Sequence, residues 1–141
     1  MSKAYKVIPR KITLGPNKGK VMYNVRPVSY GTLTAEDAAR QISAESTATP
    51  GDVKAVLDRY AHFVVDNLRK GYDIELLGFG TITLRFLTKP CVSDSASADA
   101  SLVKSINPAF RAKYTMVNGR RSYALTPSRI DLVNYDRDAK E

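Results

Sequence analysis

Gly71-Tyr72-Asp73-Ile74-Glu75-Leu76-Leu77-Gly78-Phe79-Gly80-Thr81 lies where a helical pattern gives way to an alternating one. Immediately upstream, Val53, Val56, Leu57, Tyr60, Val64 and Leu68 recur at helical spacing, and Phe63 widens the stripe. Gly71 stops that helix beside Arg69 and Lys70, two cations at the negative end of its dipole. Downstream, Ile74 and Leu76 alternate with polar residues, and Ile82, Leu84 and Phe86 resume the alternation after Gly78-Phe79-Gly80. Glycine inside a strand is destabilising and marks a bulge or a close backbone approach. Two glycines flanking one phenylalanine predict a bend with the aromatic ring buried between them.

Toward the N-terminus, Thr49-Pro50-Gly51-Asp52 is a helix start, with a cap, a proline at the first helical position and an acid in the first turn. A shorter helix is predicted from about residue 35 to 45. Thr34 can cap it, Glu36 and Asp37 suit its positive end, and Ala38, Ala39 and Ile42 form its narrow apolar face. Two helices with a short link raise the possibility of a helix-turn-helix reader. Helix two carries only Lys54 and Arg59 in its first turns and many large apolar residues, so core packing is the better account.

Toward the C-terminus, Pro90 to Ser101 is small, polar and weakly acidic, an exposed loop or arm between two strands. A strand returns over Leu102 to Arg111. Asn118-Gly119 then signals a tight hairpin joining Tyr114–Val117 to Ser122–Leu125. The first thirty residues also read as a hairpin: Tyr5, Val7, Ile12 and Leu14 alternate, as do Val21, Tyr23 and Val25, around Gly15-Pro16-Asn17-Lys18-Gly19. Gly15 to Lys20 looks superficially like a phosphate-cradling loop. It is one residue short and has Val21 where a Ser or Thr belongs, so a plain turn is expected.

The chain has 141 residues, 22 basic against 14 acidic, for a net charge of +8. The excess is concentrated. Residues 1–35 carry seven basic residues and no acid, and Lys104 to Arg129 carry six and no acid. Residues 36–75 hold five basic and eight acidic residues, a net of −3. Two acid-free blocks flanking a mildly acidic helical middle favour a polyanion partner. One cysteine, Cys91, excludes an internal disulfide, and no apolar run in the first twenty residues reads as a signal or membrane segment, so a cytoplasmic protein is expected.

From Thr34 to Thr81 the sequence resembles, without a gap, the helix–helix–strand half of the bacterial HU/IHF histone-like DNA-binding proteins. Gly71, Leu77-Gly78-Phe79-Gly80 and Pro108-Ala109-Phe110 stand where that family has its glycines, its core phenylalanine and a Pro-Ala-Phe on the returning strand. The resemblance implies an α+β fold: two helices at the base, an antiparallel sheet rising into an arm at about 88–103, and two chains intertwined. Phe79, Ile82 and Phe110 would then form a core shared between subunits. One copy also offers too few layers to cover its own apolar strand face. The HU-like segment spans 32–134, with residues 1–31 as an added basic β-hairpin and 135–141 as a frayed tail. The additions make the chain resemble the longer HU-related proteins of Bacteroidetes. One departure is pronounced: the family's Arg-Asn-Pro arm tip is absent, and the segment between Lys89 and Lys104 carries Asp94 and Asp99 but no cation.

The leading function is therefore sequence-tolerant duplex DNA binding by a nucleoid-associated dimer, a homodimer or a heterodimer. Candidate contacts are Arg85, Lys89, Lys104, Arg111, Lys113, Arg120 and Arg121, with Lys6, Arg10 and Lys11 from the N-terminal hairpin. The alternative is an HU-type dimer used as a protein-assembly module with weak or no DNA binding. Catalysis is not expected. His62 is the single imidazole, Cys91 has only that distant histidine as a base, and the carboxylates are spaced as helix-surface charges. No cofactor, metal, small-molecule substrate or membrane partner is expected.

Overall fold

A computed structural model describes residues 2–126 and 130–135. The chain divides into two compact units, one from the N-terminal residues to Thr34 together with 130–135, the other from Ala35 to Thr126. Residues 136–141, most of the expected tail, and Arg129 lie outside the described residues.

The second unit is α+β. Helix α1 (Ala35–Ala44) and helix α2 (Pro50–Arg69) precede strand β3 (Ile74–Leu76), strand β4 (Gly80–Thr88), strand β5 (Val103–Ala112), and a hairpin of β6 (Tyr114–Val117) and β7 (Arg120–Tyr123). The first unit holds strands β1 (Ser2–Lys11), β2 (Val21–Pro27) and β8 (Asp131–Asn134). Both helices match the predicted spans closely.

The ends of α2 follow the local chemistry read from the sequence. Thr49 Oγ1 accepts from the Asp52 amide (3.2 Å), and Asp52 Oδ2 accepts from the Thr49 amide (3.2 Å), completing a capping box. At the other end Gly71 takes φ +91°, its N–H donates to Leu68 C=O, and the Tyr72 N–H donates to Asn67 C=O, both at 3.1 Å. That pair of bonds is a Schellman closure. The Asp52 carboxyl is held below the usual carboxylate range, first by the Thr49 hydroxyl and then by the Thr49 amide. A depressed folded-state pKa contributes stability above the unfolded value and loses it as pH falls through the folded one. The stability advantage of the wild-type chain over Asp52→Asn should therefore shrink as pH falls from 6 to 3 in chemical-denaturation curves. Thr49→Ala should cost about 1 kcal/mol at neutral pH.

Sheet β3-β4-β5 is antiparallel throughout. The Gly-Phe-Gly segment is a tight turn between two strands rather than a bend inside one. Leu77 and Gly78 take φ of 47° and 79°, and the Phe79 N–H donates to Leu76 C=O at 2.7 Å. Gly80 then opens β4 opposite Leu76 on one side and Ala112 on the other. A Cβ at Gly80 would collide with the Arg111 carbonyl oxygen and stand 2.7 Å from the Phe110 ring. Gly80→Ala should therefore cost about 1–3 kcal/mol by overpacking, read as a lower urea midpoint. An unchanged midpoint would show that ring and carbonyl yield freely.

The hairpin β6–β7 forms on Asn118 and Gly119 at φ 49° and 73°, the doubly positive turn that matches strand twist. Its return strand is Arg120–Tyr123, two residues earlier than predicted, because a two-residue loop leaves no room for a longer connection. Between β4 and β5 the small-residue insert is exposed and carries two one-turn 3-10 helices, Ser95–Ser97 and Ala100–Leu102. Asp94 and Asp99 cap them, accepting from the Ala96 amide (3.1 Å) and the Ser101 amide (2.8 Å).

In the first unit β1 pairs antiparallel with β2 through the Gly15–Gly19 turn. The Gly15 to Lys20 segment is a plain reversal, with Lys18 N–H bonded to Gly15 C=O and Gly19 N–H to Ile12 C=O. Residues 131–134, grouped by sequence with the HU-like segment, pair parallel with β1.

Candidate nucleic-acid interface

The register of β4 against β5 sorts their side chains onto two faces. Ile82 opposes Phe110, Leu84 opposes Pro108, and Phe86 opposes Ile106. On the other face Thr81 opposes Arg111, Thr83 opposes Ala109, Arg85 opposes Asn107, and Leu87 opposes Ser105. The two arginines thus share a polar face, four ladder positions or about 13 Å apart at the rise of an extended strand. Neither makes an ion pair within 4 Å among the described residues.

Lys104 is the extra residue of a bulge, since Leu87 pairs with Ser105 while Thr88 pairs with Val103. Lys89 follows β4 and closes the insert through its N–H to Leu102 C=O at 2.8 Å. Lys113, between β5 and β6, lies 3.8 Å from Glu75, an exposed pair worth little but enough to soften its charge. Glu75, Gly80, Thr81, Arg111, Lys113 and Tyr114 line one open concavity. Arg120 and Arg121 fall on opposite faces of the β6–β7 hairpin. Arg121 stacks over Tyr114, with Cζ 4.7 Å from the ring centroid.

In the first unit Lys6 opposes Arg26, and Arg10 opposes Met22 four residues further along, so Lys6, Arg10 and Arg26 share one face. Lys11 opposes Val21 on the other face, with Val7, Val25, Pro9 and Tyr23. Arg26, not among the contacts expected from the sequence, joins this face. The Gly15–Gly19 turn carried the signal, because it sets the register that brings Arg26 against Lys6.

The apolar face of β4–β5 is largely uncovered within one chain. Phe110 is 50% exposed, Phe86 63% and Ile106 56%. Phe79 is likewise half-exposed, against the expectation of a ring buried between two bends. On α2, Val53, Leu57, Tyr60, Val64 and Leu68 turn inward, leaving Val56 and Phe63 exposed. Tyr60 ties the helix to β3 through its hydroxyl and Glu75 C=O (3.3 Å), and Lys54 ties it to α1 through Glu36 (3.3 Å).

The second unit thus joins two helices to a two-faced antiparallel ladder in which Gly80 sits against the Phe110 ring. The family model described as an HU domain fused to wHTH, Ig, or glycine-rich motif matches residues 1–126. The chain belongs to that family. No curated protein matches it. HU-family domains are nucleoid-associated, architectural DNA-binding modules. The match extends through the N-terminal residues as well as the helix–helix–sheet part, so the basic hairpin lies inside this HU-type family's own boundaries. No helix among the described residues is long and apolar enough to cross a membrane. Among those residues no group of three or more His, Cys, Asp or Glu could hold a metal ion, and His62 stands exposed on α2.

Proposed function

We propose that this chain is a non-enzymatic nucleoid protein that binds duplex DNA as an intertwined dimer, with little regard for base sequence. The two-faced β4–β5 ladder carries the reading. Its apolar side, with Leu84, Phe86, Ile106 and Phe110 exposed around a half-buried Ile82, is too open for a stable single chain and fits burial against a second copy. Its polar side presents Arg85 and Arg111 to phosphate, with Lys89, Lys104, Lys113, Arg120 and Arg121 along the same unit. Lys6, Arg10 and Arg26 offer a second cationic face, and Lys11 lies apart from them. Small polar neighbours such as Thr81, Thr83 and Ser105 position a backbone rather than read base edges.

The segment 88–103 is the arm of this reading. Its end is small and capped by aspartates, with no apolar wedge to offset unstacking, so DNA should stay nearly straight. Those same aspartates favour the second reading, a protein-assembly module that kept the dimer and gave up DNA. A gel-shift titration of linear duplex at two salt concentrations separates the two. Phosphate neutralisation requires affinity to fall steeply with salt, whereas salt-indifferent or absent binding selects the assembly module. Ring closure of short fragments should show little enhancement, and a large one would show that the arm kinks DNA.

A further inference from the structure

The β6–β7 hairpin presents a face that duplex binding uses only as charge. Tyr114 opposes Tyr123 and Met116 opposes Arg121, so these four side chains share one side of the ribbon. The two tyrosine rings meet edge to face, with centroids 5.7 Å apart at 63°. Arg121 lies over the Tyr114 ring, its Cζ 4.7 Å from the centroid, and is held more firmly protonated than usual by the neighbouring Tyr123 and Tyr114 side chains. All four remain exposed, Tyr114 at 40% and Tyr123 at 38%. The hairpin forms a two-stranded sheet of its own and contains no carboxylate.

A guanidinium seated on one aromatic face keeps its opposite plane free for another π system. The Tyr123 edge contact and the cation stack fix the geometry in advance, which lowers the ordering cost of a planar ligand. A flat π surface beside a fixed positive charge complements a nucleobase with its own phosphate. Bases inside a duplex are already stacked on one another, so only unpaired bases can use such a surface.

We infer that the Tyr114–Arg121–Tyr123 face is a stacking platform for unpaired bases of single-stranded DNA. The inference rests on the reading of the chain as a DNA-binding protein and adds a ligand class to it. The hairpin turn at Asn118-Gly119 projects the platform on a ribbon separate from the β4–β5 ladder, so single-strand capture and duplex binding draw on different side chains apart from Arg121.

The test compares a short thymidine oligomer with an abasic oligomer of the same length and backbone, using the full chain. The wild-type protein should prefer the base-bearing strand by about tenfold or more, the scale of one base–aromatic stack. Tyr114→Leu should bring that ratio close to one. Arg121→Lys keeps the charge and both rings but loses the plane, and should lower the ratio in the same direction. A wild-type ratio of one, or a ratio unchanged in both variants, overturns the platform. Duplex binding combined with a ratio of one sinks the platform alone, and loss of binding to duplex and single strand alike sinks the DNA reading with it.

Discussion

Phe110→Ala should destabilise the protein by about 3–5 kcal/mol per subunit, the cost of emptying a fully buried aromatic site. The size discriminates. Within one chain the ring rests against Gly80 and opposes Ile82, yet half of its surface is exposed. Truncating a half-exposed ring removes only about half of its transfer free energy, roughly 1–1.5 kcal/mol. The larger value requires a second copy over the face formed by Phe79, Ile82 and Phe110. The wild-type melting temperature should then rise with protein concentration. A small penalty with concentration-independent melting would identify a stable monomer and end the dimer reading.

The second large effect concerns salt. Replacing Arg85 and Arg111 with Gln should flatten the plot of log affinity against log salt by about 1.8 per subunit, at 0.9 per lost phosphate contact. Extrapolated from 1 M to 0.1 M salt, that slope corresponds to a roughly sixtyfold loss of affinity per subunit. Gln at Lys6, Arg10 and Arg26 should flatten the slope by about 2.7 more per subunit. Lys11→Gln should leave it unchanged, because Lys11 shares its face with Val21 and Val7 instead. Equal effects from Lys11 and Lys6 would show that the charge acts diffusely and that the register does not select the contacts.

Local chemistry was legible in the sequence wherever it depended on neighbours along the chain. Thr49 as the cap of the second helix with Asp52 in its first turn, Gly71 as a helix stop and Asn118-Gly119 as a hairpin turn each involve contacts a few residues long. Burial was less legible, because it depends on what else is present. Phe79 and Phe110 have the composition of core residues, but one chain leaves both half-exposed. Pairing across long separations was the least legible. Asp131–Asn134 is short and flanked by charges, and nothing local marks it as the parallel neighbour of β1. The cationic trio was hidden for a related reason: Arg26 joins Lys6 only through a register set by a turn several residues away.

Strand β8 pairs with the first strand of a chain in which the helix–sheet unit, Ala35–Thr126, intervenes. On the ribosome this imposes an order of events. Residues 35–126 can form the pairings internal to their unit once they emerge, while β1 and β2 must wait as a bare two-stranded hairpin, marginal in water. Until the last strand is made, one edge of β1 stays open. Val7, Val21, Tyr23 and Val25 on its exposed face add to the hazard in nascent chains crowded on one message. The seven cations of the first 35 residues, with no acid among them, keep such chains apart by repulsion during that interval.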